Sequence, residues 1–335
     1  APEFKFGATG EITYGNYDVW RLSGSVTGPV SEQIALRLDG VWSKRDGFYT
    51  LVDKTGAKVG ETNDRDRYFL RGQALIEPND ALSIRLIGDY TNRDESCCGA
   101  PYISTRETFD PTPGSPGDYG VNPTNRIATI LGAISGQPII VDPYSRRLSI
   151  TSGREYVSKL KDWGLSGEIT YNLGGAKLTS ITAYRNYKSQ DYGDYDYSTA
   201  DILYRDPNTY REFKTFTQEL RAQGEAFSGK LDWLIGGYYS HEDLTLRDNI
   251  RFGADYGRFA ACRLMAGSGA VASLNPAQLS LCSSAPGVSA LIAGTRASLN
   301  AALTPGVGAT QAGIISTGLA NGLTALVGIP SGAGD

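Results

Sequence analysis

The sequence predicts an all-β chain, an antiparallel transmembrane β-barrel carrying long extracellular loops, and three observations predict it. Apolar and polar residues alternate strictly: Ile34, Leu36, Leu38, Gly40 and Trp42 interleave with Ala35, Arg37, Asp39, Val41 and Ser43. A strand points successive side chains to opposite faces, so one face of this run is greasy and the other charged. From the second connection onward, tight turns alternate with long excursions between such runs, the rhythm of an outer-membrane barrel rather than of a sandwich. The composition adds 20 Tyr and 41 Gly against 1 Met and 1 His, which favours strand over helix.

Taken in order, nine strands are expected, at 7–16, 19–29, 32–46, 65–77, 81–94, 159–173, 176–190, 212–226 and 229–247. In the second, Trp20, Leu22, Gly24 and Val26 alternate with Arg21, Ser23, Ser25 and Thr27. The fifth sets Leu82, Ile84, Leu86, Gly88 and Tyr90 against Ser83, Arg85, Asp89 and Thr91, with Ile87 interrupting the polar set. The sixth sets Trp163, Leu165, Gly167, Ile169 and Tyr171 against Asp162, Gly164, Ser166, Glu168 and Thr170. In the eighth, Phe216, Leu220 and Ala222 oppose Thr217, Glu219, Arg221 and Gln223. Several runs exceed the roughly 9 to 11 residues that cross a bilayer, and aromatic residues end their apolar faces, where an interfacial girdle sits.

Short turns are read at 15–18, 29–32, 77–80, 172–175 and 225–229, where Pro78, Asn79 and Asp80, or Gly174 with Gly175, supply preset or positive φ. Long loops are read at 47–64, 96–158, 191–211 and after Arg247. The division is therefore 1–250 as barrel strands with their loops and 251–335 as a long Ala, Gly and Ser-rich extracellular loop. In that second part Asn275 before Pro276 reads as a helix start, and Ile315, Leu319, Leu323 and Leu326 recur at helical spacing. Short helices fit there better than a span across 312–329, which Ser316, Thr317, Asn321 and four glycines dilute.

A net charge of −4 and dispersed Lys and Arg give no basic field for nucleic acid. Residues Ala1 to Gly10 lack the apolar core of a secretory signal. The cysteines Cys97, Cys98, Cys262 and Cys282 all fall in loops and read as one or two disulfides of an oxidising compartment. Three connectivities are open, and pairing of Cys97 and Cys98 with other cysteines is favoured over pairing with each other. With His241 the sole histidine and no CxxC spacing, no metal site is expected. No GxSxG, GxGxxG or GxxxxGKS is present, so neither a hydrolase nor a nucleotide site is expected, and no enzyme activity or cofactor is assigned.

The segments GEITYGNYDVWRLSGSVTGPVSEQIALRLDGVWSKRDGFYT and NDRDRYFLRGQALIEPNDALSIRLIGDYTNRDE resemble the opening barrel strands of TonB-dependent outer-membrane receptors, in particular the paralogous sets of proteobacteria such as sphingomonads. Tyr14 to Asp18 is similar to the first external hairpin after the plug domain of that family. The resemblance covers residues 3 to about 250. It implies a barrel of about 22 strands around a plugged lumen, and uptake of a scarce ligand driven through TonB. Neither a plug nor a TonB box precedes Ala1, and no C-terminal aromatic strand ends the chain at Asp335. The family's energy-coupling residues therefore have no positions here, and nine strands are expected to be a portion of a longer protein.

Within this frame Arg37, Asp39, Arg71, Gln73, Arg85, Asp89, Glu168, Glu219 and Arg221 are expected to point into the lumen. A wall of mixed sign suits bracing a plug better than selecting a charged solute. The most site-like cluster is Asp191, Asp194, Asp196 and Asp201 among Tyr192, Tyr195 and Tyr197. Aromatics with carboxylates bind a sugar, a cationic group or Ca²⁺, although the spacing is not that of an EF-hand, and a solvated loop with girdle tyrosines explains the same residues. The expected partners are outer-membrane lipid and lipopolysaccharide, TonB through a plug, the remaining strands and a small-molecule ligand such as a ferric siderophore, corrinoid or glycan. A passive porin or structural barrel is the alternative, and a soluble carbohydrate-binding module stands behind it.

Overall fold

The computed structural model describes residues 1–102, 127–140, 142–267 and 285–327. All nine expected strands form, as β1 (Gly7–Gly15), β2 (Val19–Ser31), β3 (Ile34–Arg45), β6 (Arg65–Asn79), β7 (Leu82–Glu95), β9 (Tyr156–Asn172), β10 (Ala176–Asp194), β12 (Tyr210–Ala226) and β13 (Leu231–Arg247). Every neighbouring pair of this series is antiparallel. With two short strands, β11 (Leu203–Arg205) and β14 (Ile250–Phe252), they make one 11-stranded sheet. The sheet is open: β1 pairs only with β2, and β13 only with β12.

The tight turns β2–β3, β6–β7, β9–β10 and β12–β13 lie at one end of the strands, and the β1–β2 turn lies at the other. Gly174 at φ 82° supplies the left-handed residue of the β9–β10 turn, as its sequence predicts. Asn79 accepts the backbone N–H groups of Ala81 and Leu82 at 3.0 Å and closes the β6–β7 turn.

Structure that alternation alone does not reveal fills the opposite, long-loop end. Strands β4 (Tyr49–Val52), β5 (Lys58–Thr62) and β8 (Arg147–Ser149) form a small second sheet, in which β4 and β8 run parallel. Leu51, Leu148, Ile150 and Tyr156 bury beneath it. A second cluster, Leu131, Ala200 and Ile202, packs α1 (Ile127–Ser135) against the loop after β10 and against Tyr256 and Phe259 of α2 (Tyr256–Gly267). Two further helices, α3 (Ala285–Val307) and α4 (Ala309–Val327), pack on each other. They are longer than the short helices expected of this stretch. Among the described residues no helix is long and apolar enough to cross a membrane. The helix start at Asn275 and Pro276 lies outside the described residues.

Candidate functional site

Strand register sorts the side chains onto two faces. One face carries the apolar set in rows across the strands, with Leu38 beside Gly72, Ala74 beside Leu86, Leu86 beside Gly167, and Leu165 beside Tyr184. These residues are not covered by a second layer: Leu165 is 61% exposed and Leu220 63%. Leaving such side chains in water forgoes about 1.5–3 kcal/mol each, so a face made of them is built for an apolar medium.

An aromatic row crosses the same face towards the long-loop end. Trp42 pairs with Tyr68, Tyr90 with Trp163, and Tyr184 with Phe216. Rings on neighbouring strands touch, at centroid distances of 5.8 Å for Tyr68 and Tyr90, 5.4 Å for Trp163 and Tyr184, and 6.3 Å for Phe216 and Tyr239. Tyr14 and Trp20 continue the row at 4.8 Å. Aromatic rings in such a belt favour the boundary between hydrocarbon and water.

The residues expected to face a lumen all fall on the opposite, polar face, as their register pairs require. Asp39 accepts Arg37 Nε at 2.9 Å and Gln73 Nε2 at 3.3 Å, and Arg85 donates to Gln73 Oε1 at 2.7 Å. Arg221 meets Glu219 at 3.2 Å, while Glu168 sits beside Arg85 in register. Arg185, not singled out in the sequence, bridges Asp89 at 2.8 Å and Asp162 at 2.5 Å. Its strand alternates weakly because Ser180 and Thr182 stand on the apolar face. Setting Tyr184 on the apolar face puts the odd positions of this strand, Arg185 among them, on the polar face and would have found it.

The Asp and Tyr cluster lies beyond the aromatic row, at the end of β10 and in the folded loop that follows it, and its residues divide. Asp194, 1% exposed, accepts the backbone N–H of Thr151 at 2.8 Å and of Asp196 at 3.2 Å. Asp196 accepts Ser198 N and Oγ at 2.9 and 2.7 Å and the N–H groups of Ile202 and Leu203 at 2.9 Å each. Both carboxyls are held above the ordinary carboxylate range, first by burial, and Asp194 is pushed up to about 7. Tyr102 donates its hydroxyl to the Asp196 carbonyl at 2.6 Å, and burial pushes that phenol up to about 12. Tyr197 stacks on Tyr156 at 5.9 Å. Asp191, by contrast, is exposed and accepts only Ser158 Oγ, at 2.7 Å, and Tyr192 lies beside it on the same strand. Chemically, Asp194 and Asp196 act as backbone caps, Asp191 is the carboxylate left exposed, and Tyr192, Tyr195 and Tyr197 are half-buried.

Asp201 ties this loop to its surroundings. Arg154 grips its carboxylate with hydrogen bonds of 2.9 to 3.2 Å and lays its guanidinium 3.3 Å from the Tyr204 ring centre. The Ala254 N–H reaches the same carboxylate at 3.0 Å. Arg154→Ala should therefore destabilise the loop by about 2 kcal/mol, from lost charge-assisted hydrogen bonds and ring contact. Hydrogen exchange of the 201–205 amides would read it, and unchanged protection would contradict the assignment.

One cysteine expectation is corrected. Cys97 bonds to Cys98 itself, across Cα atoms 3.0 Å apart. Cys262 is disulfide-bonded, and Cys282 lies outside the described residues.

No protein-family model matches the sequence. Among solved structures, the ferric yersiniabactin uptake receptor FyuA from Yersinia pestis aligns over 75% of this chain and 32% of its own, with a TM-score of 0.50 and 12% identity. The fold is that of part of an outer-membrane β-barrel. The siderophore receptor PiuA from Acinetobacter baumannii (13% identity, TM-score 0.49, 75% of this chain and 32% of that) is similar. So is the ferric-catecholate import receptor Fiu from E. coli K12 (12%, 0.48, 74% and 35%). The chain spans about a third of the length of these receptors, and its open sheet is what part of such a barrel looks like.

Proposed function

We propose that this chain is a portion of a TonB-dependent receptor of a Gram-negative outer membrane, taking up a scarce nutrient such as a ferric siderophore, corrinoid or glycan. The observation that carries the reading is the pairing of an uncovered apolar face, edged by an aromatic row, with a charged face braced by ion pairs. In the proposed arrangement the apolar face meets lipid and lipopolysaccharide, the charged face lines a lumen filled by a plug, and the long loops face the exterior. There Asp191, Tyr192, Tyr195 and Tyr197 are candidates for contact with the ligand, while Asp194 and Asp196 shape the loop that presents them.

Deleting the gene should abolish growth on one limiting nutrient while leaving leakage of small solutes unchanged. Collapsing the inner-membrane proton gradient should give the same loss in the wild type. Uptake that survives that collapse would point instead to a passive pore.

A further inference from the structure

The polar face holds a recess of about 380 Å³ lined by Ala1, Arg37, Asp39, Phe69, Arg71, Gln73 and Arg85. Among the lining side chains three guanidinium groups face one carboxylate, already engaged by Arg37 and Gln73, and Glu3 adds a through-space attraction to Arg37 alone. Arg71 lies between Asp39 and Asp89 in register, yet Asp89 is bonded to Arg185. Arg71 keeps the Phe69 ring at 5.5 Å and the through-space attraction of Asp39, with no hydrogen-bonded acid among the described residues. The Nε atoms of both Arg71 and Arg85 are buried with no hydrogen-bond partner among the described residues. Arg85 Nη2 donates to a neutral amide, Gln73, rather than to an acid. A buried guanidinium donor without an acceptor is costly, and two of them flanking one recess define a place for an anion of matching, planar, bidentate geometry.

We propose that a carboxylate group docks in this recess and accepts hydrogen bonds from Arg71 and Arg85. Two sources carry that chemistry: an acidic side chain from another part of the same polypeptide, or a free carboxylate-bearing solute in the lumen. The first source rests on the receptor reading, in which a plug occupies this face. Residues 1–3 run along it too, Pro2 being buried and the Glu3 N–H bonded to Thr27 Oγ1 at 2.9 Å.

The test uses the full-length protein in detergent, with Arg71→Lys to place an amine in the recess and a carbodiimide to join that amine to any carboxylate it touches, mapped by peptide mass spectrometry. An amide to an acid outside residues 1–335 supports the proposal and identifies the intrachain source. Citrate, used as the free-carboxylate probe in calorimetry, supports the solute source if it binds the wild type and if Arg71→Gln and Arg85→Gln each weaken it about tenfold, or about 1.4 kcal/mol. Amides only to acids within residues 1–335, Glu3, Asp39, Asp89 or Glu168 among them, with no citrate effect in either Gln variant, overturn the proposal, as does the absence of any amide and of any citrate binding. Membrane fractionation keeps the two readings apart. Protein that sits in the outer membrane but fails both arms sinks the recess alone; protein outside the membrane that passes the citrate arm sinks only the receptor.

Discussion

Leu86→Arg should destabilise the complete protein in phosphatidylcholine vesicles by about 2–4 kcal/mol, the cost of a guanidinium near the bilayer midplane. Leu86 stands beside Gly167, midway between Trp163 in the aromatic row and Tyr171 near the tight turns, with its side chain uncovered. The same substitution at Leu178, beside Tyr171, should cost about 0–1 kcal/mol, because a long side chain near the interface reaches water. On the other face, Ser166→Arg should have a similarly small effect, since Ser166 lies between Ile87 and Ala183 on the polar side. Urea titrations of the refolded protein check all three. The depth dependence is the discriminating part. If the apolar face packed on another protein layer, Leu86→Arg and Leu178→Arg would cost alike.

The reason this face was legible in the sequence is geometric. A strand buried on neither side by protein but set between lipid and water must alternate with a period of 2 over its whole length, and Trp163 to Tyr171 does so without a break. The placement of Arg37, Asp39, Arg71, Arg85, Asp89, Glu168, Glu219 and Arg221 on one face followed from the same period, because antiparallel register carries the parity of one strand to the next. Their partners did not follow. Which of several acids an arginine reaches depends on χ angles and on strand twist, so the bridge from Arg185 to Asp89, 96 positions away in sequence, has no local signature.

The long-loop end was legible only as loop. Strands β4, β5 and β8 are 4, 5 and 3 residues long, too short to establish a period, and β8 is parallel to a partner almost a hundred positions earlier. The tail helices showed their spacing but not their extent. Ala, Gly and Ser-rich sequence marks neither caps nor an amphipathic stripe clearly, and Pro305 lies inside α3 without ending it. In the Asp and Tyr cluster the sequence signalled chemistry where the structure assigns much of it to scaffolding: four of the donors that a bound sugar or cation would displace are backbone and side-chain groups of the loop itself.

Those scaffolding carboxyls carry the other large effect. Asp196→Ala should open the 194–206 loop by about 3 kcal/mol, since the Ser198, Ile202 and Leu203 N–H groups lose their acceptor together and only partly regain one from water. Leu203 opens β11, which pairs with both β10 and β14, so the damage should spread to 250–252. Asp194 gives the same loop a pH dependence. Its neighbours are Asp196, Tyr102, Tyr156 and Tyr197, while the nearby cations are committed elsewhere, Arg154 to Asp201 and Arg205 to Tyr195 and Asp248. The folded loop therefore holds the proton up to about pH 7, whereas the opened loop releases it near pH 4. The Asp194 contribution is present in full below about pH 4 and is lost as pH rises from there through 7. Hydrogen exchange across 194–206, corrected for intrinsic rates, should show protection falling between pH 5 and 8, and Asp194→Asn, neutral throughout, should flatten that fall while keeping the Thr151 contact. Protection that instead climbs with pH in the wild type would mean that the N–H groups around Asp194 outweigh its burial.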